Sequence, residues 1–209
     1  MVITYHGVGF VKVQFSDITI AVNPIAKESK HRSPKFGADI GIVSLDHPDC
    51  NGVPQLAYGG KEPFLIQGPG EYEVKGVFIK GFPGVSHYGG KEIMNTIYAV
   101  SLEGMNLCFL GALEDPALEG KTKEALDAVD ILFVPIGGEG VLSSQVAYKL
   151  SVSLEPKIIV PIFFEGKSAL DAFKKEGGVT TSEPVEKLTV KRRDLESKGG
   201  EIVVLTSLS

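Results

Sequence analysis

Two cysteines, Cys50 and Cys108, are all that this 209-residue sequence contains. Disulfide frameworks serve small secreted folds that lack a core, so a lone pair in a chain of this length does not imply one. The expectation is a reduced, cytoplasmic protein. Long apolar runs are missing too. None reaches the roughly 18 residues that a bilayer-crossing helix needs, so no membrane partner is expected. The opening Met1-Val2-Ile3-Thr4-Tyr5-His6 has no basic stretch and no cleavage-site pattern, so no signal peptide is expected. Positive charge is in deficit: 21 Lys and Arg face 26 Asp and Glu, for a net charge of −5. Contacts to phosphate backbones need clustered cations, so nucleic acid is not an expected partner. The one basic cluster, Lys191-Arg192-Arg193, is followed by Asp194 and Glu196 and reads as a solvated edge or turn.

What is present is ordinary globular material, 43% hydrophobic and 22% charged. It is enough for one substantial core and too little for two, which predicts a single domain over 1–209. The first half is a series of short β-rich runs. Residues 9–15 and 17–23 form a predicted hairpin, as do 71–74 with 77–82 and 95–103 with 106–110. Residues 39–44 form a compact apolar run, of the kind buried on both faces. The second half alternates. Predicted helices at 121–128, 143–153 and 168–176 lead to strands at 130–135, 157–162 and 201–206. Hairpins followed by helix–strand alternation predict an α/β (α+β) fold of two sheets with helices outside.

The segment with the most chemistry is Ser44-Leu45-Asp46-His47-Pro48-Asp49-Cys50. It follows the buried strand, where a parallel-type sheet presents its sites. Imidazole, carboxylate and thiol are all zinc ligands. On spacing alone, a turn with local hydrogen bonds explains the segment equally well.

Laid on the motif His-x-His-x-Asp-His, the segment matches at His47 and Asp49. By this and its surroundings the sequence resembles the metallo-β-lactamase superfamily. Within it, the sequence is similar to a branch of small metal-dependent hydrolases like L-ascorbate-6-phosphate lactonase. Val2-Ile3-Thr4-Tyr5 with Gly7 and Phe10 is similar to that branch's first strand, and Ile20-Ala21-Val22-Asn23-Pro24 to its second strand end. His87, after Gly81-Phe82-Pro83, stands where a third ligating His is expected. Residues 130–138 and Val160-Pro161-Ile162-Phe163 match later strands of the branch. The resemblance runs from residue 1 to about 165. It implies an αββα sandwich, two mixed β-sheets face to face with helices on the outer faces.

It also implies a metal set with gaps. His47, His87, Asp49 and Cys50 are the candidate ligands, and Asp49 is the candidate catalytic residue if the protein is active. Leu45, Ala112 and Phe163 occupy ligand positions with side chains that have no lone pairs to donate. A catalytic zinc takes three protein ligands and keeps one position for water; each half-site here keeps two at most. Losing even a residue behind a ligand costs about 10–100-fold in affinity or activity. Without a bound metal, water is not acidified toward pKa ~7.

Other motifs carry less. Glu165-Gly166-Lys167-Ser168 lacks the first glycine of a phosphate-binding loop, since position 161 is proline, and predicts a helix capped by Ser168. Ser86-His87 and Ser44 with His47 lack an orienting third group. Gly137-Gly138-Glu139-Gly140 reads as a flexible turn. His6 reads as a hydrogen-bonded core or rim residue, also able to replace a lost ligand. His31, in a basic polar loop, reads as solvated, and Cys108 as core. Tyr58, Tyr72, Tyr88 and Phe82 are candidates for lining a cleft.

The leading expectation is a non-catalytic binding or scaffold protein with an eroded dinuclear site and no cofactor. A small molecule in the residual pocket and self-association are its expected partners. The alternatives are a hydrolase with a single zinc or manganese acting on a small ester, lactone or phosphoester, and a metal-free enzyme.

Overall fold

The computed structural model describes residues 1–118, 120–179 and 183–208. Tight turns set its architecture. Lys75 and Gly76 both take positive φ, as do Glu103 and Gly104. This backbone twist joins two antiparallel strands through two residues. The strands are β1 (Val2–Tyr5), β2 (Val11–Phe15), β3 (Ile18–Val22), β4 (Ile40–Val43) and β5 (Phe64–Gln67). They continue with β6 (Gly70–Val74), β7 (Val77–Ser86), β8 (Ile93–Leu102), β9 (Met105–Phe109), β10 (Ile131–Pro135), β11 (Ile158–Ile162), β12 (Leu188–Thr189) and β13 (Glu201–Ile202). The helices are α1 (Gly120–Ala125), α2 (Ser144–Ser153), α3 (Ser168–Glu176) and α4 (Arg192–Leu195).

The strands form two mixed sheets. One runs β12-β1-β2-β3-β4-β5, antiparallel up to β3 and parallel from β3 to β5. The other runs β13-β11-β10-β9-β8-β7-β6, parallel from β13 to β9 and antiparallel from β9 to β6. Apolar side chains from both sheets meet between them. Phe10, Ile42, Tyr98, Phe109 and Phe133 lie in this layer, and the last two rings stack with centroids 4.3 Å apart. A second apolar layer covers the outside of the larger sheet, where Leu132, Val134 and Ile159 meet Ala147, Leu150 and Phe173 of α2 and α3. Strands β4, β10 and β11 are buried at every position, which is why they read as continuous apolar runs. Together these layers make the αββα sandwich.

Several details differ from the expectation. The helix expected at 121–128 ends at Ala125. The final strand is two residues long, and after it the chain touches neighbours through single bridges, Val185 to Leu205 and Tyr5 to Ser207. Strands β5 and β12 had no pattern to announce them, since Phe64–Gln67 is exposed at three of four positions. Lys167, not Ser168, takes the N-cap position of α3, without a side-chain cap bond. The basic cluster at 191–193 opens the short helix α4 rather than a turn. No helix among the described residues is long and apolar enough to cross a membrane.

Asp39 marks the end of the smaller sheet away from the cleft described below. Its side chain is 7% exposed and accepts from Thr19 N–H at 2.9 Å and from Lys61 and Lys75 Nζ at 2.6 Å each. Burial pushes the carboxyl pKa up, but the two ammonium groups and the amide outweigh it and hold the pKa at about 2. A depressed carboxyl pKa gives stability that is present above the unfolded value near 3.9 and lost as pH falls toward 2. Between pH 4 and pH 2 the protein will lose unfolding free energy that an Asp39→Asn variant does not lose. Denaturant titrations of both proteins at pH 5 and pH 2.5 check this, and parallel losses would refute it.

Candidate functional site

Four strand ends open on the same side of the sandwich. The chain leaving β1 turns through Gly7 and Val8, the chain leaving β4 through residues 44–52, the chain leaving β7 through residues 87–92, and the chain leaving β11 through Phe163 and Phe164. Together with residues 28–31, 137–141 and 204–207 they line a cleft of about 1110 Å³. Two backbone bonds hold residues 24–31 against the 44–52 segment: Gly52 N–H donates to Pro24 O, and Ala26 N–H to Pro48 O, both at 2.7 Å. Gly52 fits because a Cβ there would lie 2.2 Å from the carbonyl oxygen of Ile25.

That clamp brings Ser29 to Asp49. The Asp49 carboxylate is 7% exposed and is gripped by two hydroxyls: Ser29 Oγ donates to Oδ1 at 2.5 Å, and Tyr88 Oη to Oδ2 at 2.7 Å. His47 Nδ1 lies 3.7 Å from Oδ2 and accepts the Asp49 backbone N–H at 3.2 Å. Burial pushes the Asp49 pKa up, but the Ser29 and Tyr88 hydroxyls, aided by His47 and His31, hold it below the ordinary carboxylate range. Burial, and then the bond to Asp49, push the Tyr88 phenol well above its usual value, so it stays protonated as a donor.

His31 belongs to this cluster rather than to solvent. Its Nε2 lies 3.9 Å from Asp49 Oδ2 and 3.7 Å from Glu165 Oε1, buried and without a hydrogen-bond partner among the described residues. Its backbone N–H donates to Ser29 Oγ at 3.0 Å. On the rim, Lys30 Nζ pairs with Glu165 Oε1 at 2.9 Å. Ser29 and Lys30 had no signal as site residues, and Glu165 appeared only in the failed phosphate-loop match, because the two loops that carry them lie far apart in the sequence.

The other candidates are dispersed. Cys50 is fully buried in the core between the sheets, where burial and then the Asp49 charge raise its thiol pKa well above normal. A thiol so placed resists becoming the thiolate that binds metals. His87 does not line the cleft. Its Nδ1 bonds Glu114 Oε2 at 2.5 Å, and that bond, with the Glu114 charge, raises its pKa. Leu45 and Ala112 are buried and apolar. The Phe163 ring packs edge-on against Tyr88 with centroids 5.3 Å apart, and Tyr88 packs the same way on His47 at 4.9 Å. That ring leaves no room for a side chain at residue 9, where a Cβ would sit 2.3 Å from it, so Gly9 is required. Among the described residues, no three His, Cys, Asp or Glu side chains are grouped so as to hold a metal ion.

His6 is buried at the sheet end, bonding Leu208 O at 2.9 Å and Thr4 Oγ1 at 3.2 Å, and it does not line the cleft. Cys108 lies in the outer apolar layer. Of the four aromatic candidates only Tyr88 borders the cleft; Tyr58, Tyr72 and Phe82 lie elsewhere. Ser86 Oγ donates to Gly140 O and His87 turns to Glu114, so these two form no nucleophile–base pair.

A family profile described as a beta-lactamase superfamily domain matches residues 2–163. Among solved structures, the chain is similar to a candidate Zn-dependent hydrolase of the metallo-β-lactamase superfamily from Thermotoga maritima. That match has 25% identity and a TM-score of 0.73, covering 98% of this chain and 97% of the other. It is also similar to a candidate metal-dependent hydrolase from Parabacteroides distasonis, with 15% identity, a TM-score of 0.69, and coverage of 99% and 93%. A metallo hydrolase from the archaeon Ignicoccus hospitalis matches at 16% identity with a TM-score of 0.62, covering 91% and 98%. No curated protein sequence matches the chain significantly.

Proposed function

The chain belongs to the beta-lactamase superfamily, and from that premise we propose that it is a non-catalytic member, which binds a small molecule in its cleft without the family's two-metal hydrolysis. One observation carries this reading: the Asp49 carboxylate is engaged by the chain's own Ser29 and Tyr88 hydroxyls. A metal would have to displace two charge-assisted hydrogen bonds, each of a kind worth about 1.5–3 kcal/mol. It would recover little in exchange, because Leu45, Ala112 and Phe163 offer no electron pairs, Cys50 is sealed in the core and His87 is turned to Glu114. The donor set does not fit the two-metal centre. The cleft itself remains large enough for a small organic ligand.

Zinc and manganese titrations of metal-stripped protein, followed by elemental analysis after desalting, test the proposal. The expected result is well under one equivalent retained, with no difference between the parent and His47→Ala. Retention of a full equivalent of either metal that His47→Ala or Asp49→Asn removes would overturn it in favour of a mononuclear hydrolase.

A further inference from the structure

The sequence contains one Asn-Gly pair, Asn51-Gly52, in the segment after β4 that carries His47 and Asp49 to the cleft. In such a pair the glycine has no side chain to shield its backbone nitrogen. That nitrogen can attack the side-chain carbon Cγ of the asparagine. The new N–C bond closes a succinimide ring, and the side-chain amide leaves as ammonia. Water then opens the ring on either side. The product is aspartate, or isoaspartate, in which the main chain runs through the side-chain methylene.

The fold restrains both reacting groups. Gly52 N–H donates to Pro24 O at 2.7 Å, Asn51 N–H to His47 O at 3.0 Å, and Val53 N–H to Asn51 O at 2.9 Å. The main chain is thus fixed on both sides of the reacting bond. The Asn51 side chain is tethered as well, since its Nδ2 donates to Asp46 Oδ1 at 2.7 Å. Ring closure breaks the bonds to Pro24 and Asp46, because the Gly52 nitrogen gives up its proton and Nδ2 departs. The products cannot restore what was lost. In aspartate an oxygen replaces Nδ2 and faces Asp46, two ionised acceptors with no proton between them. In isoaspartate the added main-chain methylene presses on Gly52, where even a Cβ would lie 2.2 Å from Ile25 O.

We propose that Asn51-Gly52 is a modification site gated by the clamp between residues 24–31 and 44–52. Its amide is kept while the clamp is closed and lost when the clamp opens, and the loss keeps the clamp from closing again. Ser29 reaches Asp49 through that clamp, so the modified chain loses the arrangement at the polar end of the cleft. The gate belongs to the frame of the cleft and works whatever the cleft binds.

Incubation of the full chain at pH 8, native and in urea, tests this, with loss of the Asn51 amide followed by peptide mass spectrometry. The native chain is expected to convert more slowly than the unfolded one by about 10-fold or more, as two hydrogen bonds of ordinary net strength require. Asp46 is exposed, so Asp46→Ala spares the fold; it removes one tether and should speed the native reaction about 5-fold, leaving the rate in urea unchanged. Asn51→Asp installs the product carboxylate and should melt about 2–4 °C below the parent. Adding Asp46→Asn, which exchanges donor and acceptor, should recover most of that shift. The proposal is overturned by a native chain that converts as fast as the unfolded one, by a native rate that Asp46→Ala leaves unchanged, or by an Asn51→Asp chain that melts with the parent.

Discussion

Gly52→Ala will destabilise the protein by about 3 kcal/mol, the upper end of what overpacking a core usually costs. The methyl group would fall 2.2 Å from Ile25 O, 2.3 Å from Ile25 C and 2.4 Å from Ala26 N. Those atoms are backbone, so no rotamer change can relieve the contact. The segment at 24–26 must move, and with it the two bonds that tie Gly52 to Pro24 and Ala26 to Pro48. In a domain of this size, 3 kcal/mol lowers the melting temperature by about 6–12 °C. Because the same segment carries Ser29, the loss should extend to the cleft: affinity for the small molecule proposed above should fall even at temperatures where the variant is folded. A melting temperature within 2 °C of the parent would refute the steric argument. Gly59→Ala, which nothing crowds but whose φ of +64° is unfavourable for alanine, is a useful milder comparison.

Tyr88→Phe is the second substitution with a large expected effect, and its pH dependence identifies the cause. The phenol donates at 2.7 Å to an ionised, buried carboxylate, and removing one such donor costs about 1.5–3 kcal/mol at pH 7. Asp49 has a depressed pKa in the folded protein. The stability tied to its ionised form is therefore present above the unfolded value near 3.9 and disappears as pH falls through the lower folded value. Parent and Tyr88→Phe should differ at pH 7 and converge below pH 4. Chemical denaturation across that range measures the difference. A gap that persists unchanged at low pH would mean that lost packing against His47 and Phe163, not the hydrogen bond, is what the variant feels.

Much of the architecture was legible because its signals are local. Lys75-Gly76 and Glu103-Gly104 supply the positive φ values of two tight turns, and the apolar runs at 131–135 and 158–162 are strands buried on both faces. Strand β5 was not legible. Its partner lies more than twenty residues away on β4, and exposed Phe64 and Leu65 break any alternation. The site divides along the same line. His47 and Asp49 stood out because they are crowded together after a buried strand. Ser29 and His31 did not, because their loop looks like any polar loop until Gly52 pins it beside residue 49. Glu165 was visible only as part of a failed phosphate-loop match. Phe163 was recognised as an apolar residue in a ligand's place, but its left-handed φ of 50° and its dependence on Gly9 need the third dimension.

The walls of the cleft come from sequence regions almost two hundred residues apart, Tyr5 to Val8 on one side and Val204 to Ser207 on the other. Leu208 N–H reaches back to Tyr5 O, Phe163 N–H bonds Val8 O, and the Met1 amine donates to Val190 O. Contacts of such high sequence separation form late, since the entropy of closing the longest loops must be met before they contribute anything. A nascent chain with its first hundred residues outside the ribosome has β1 through β7 but not the cleft. The cleft thus closes only once residues 204–207 have been made, and a ligand of the kind proposed above, present during folding, would favour that last step over all the earlier ones.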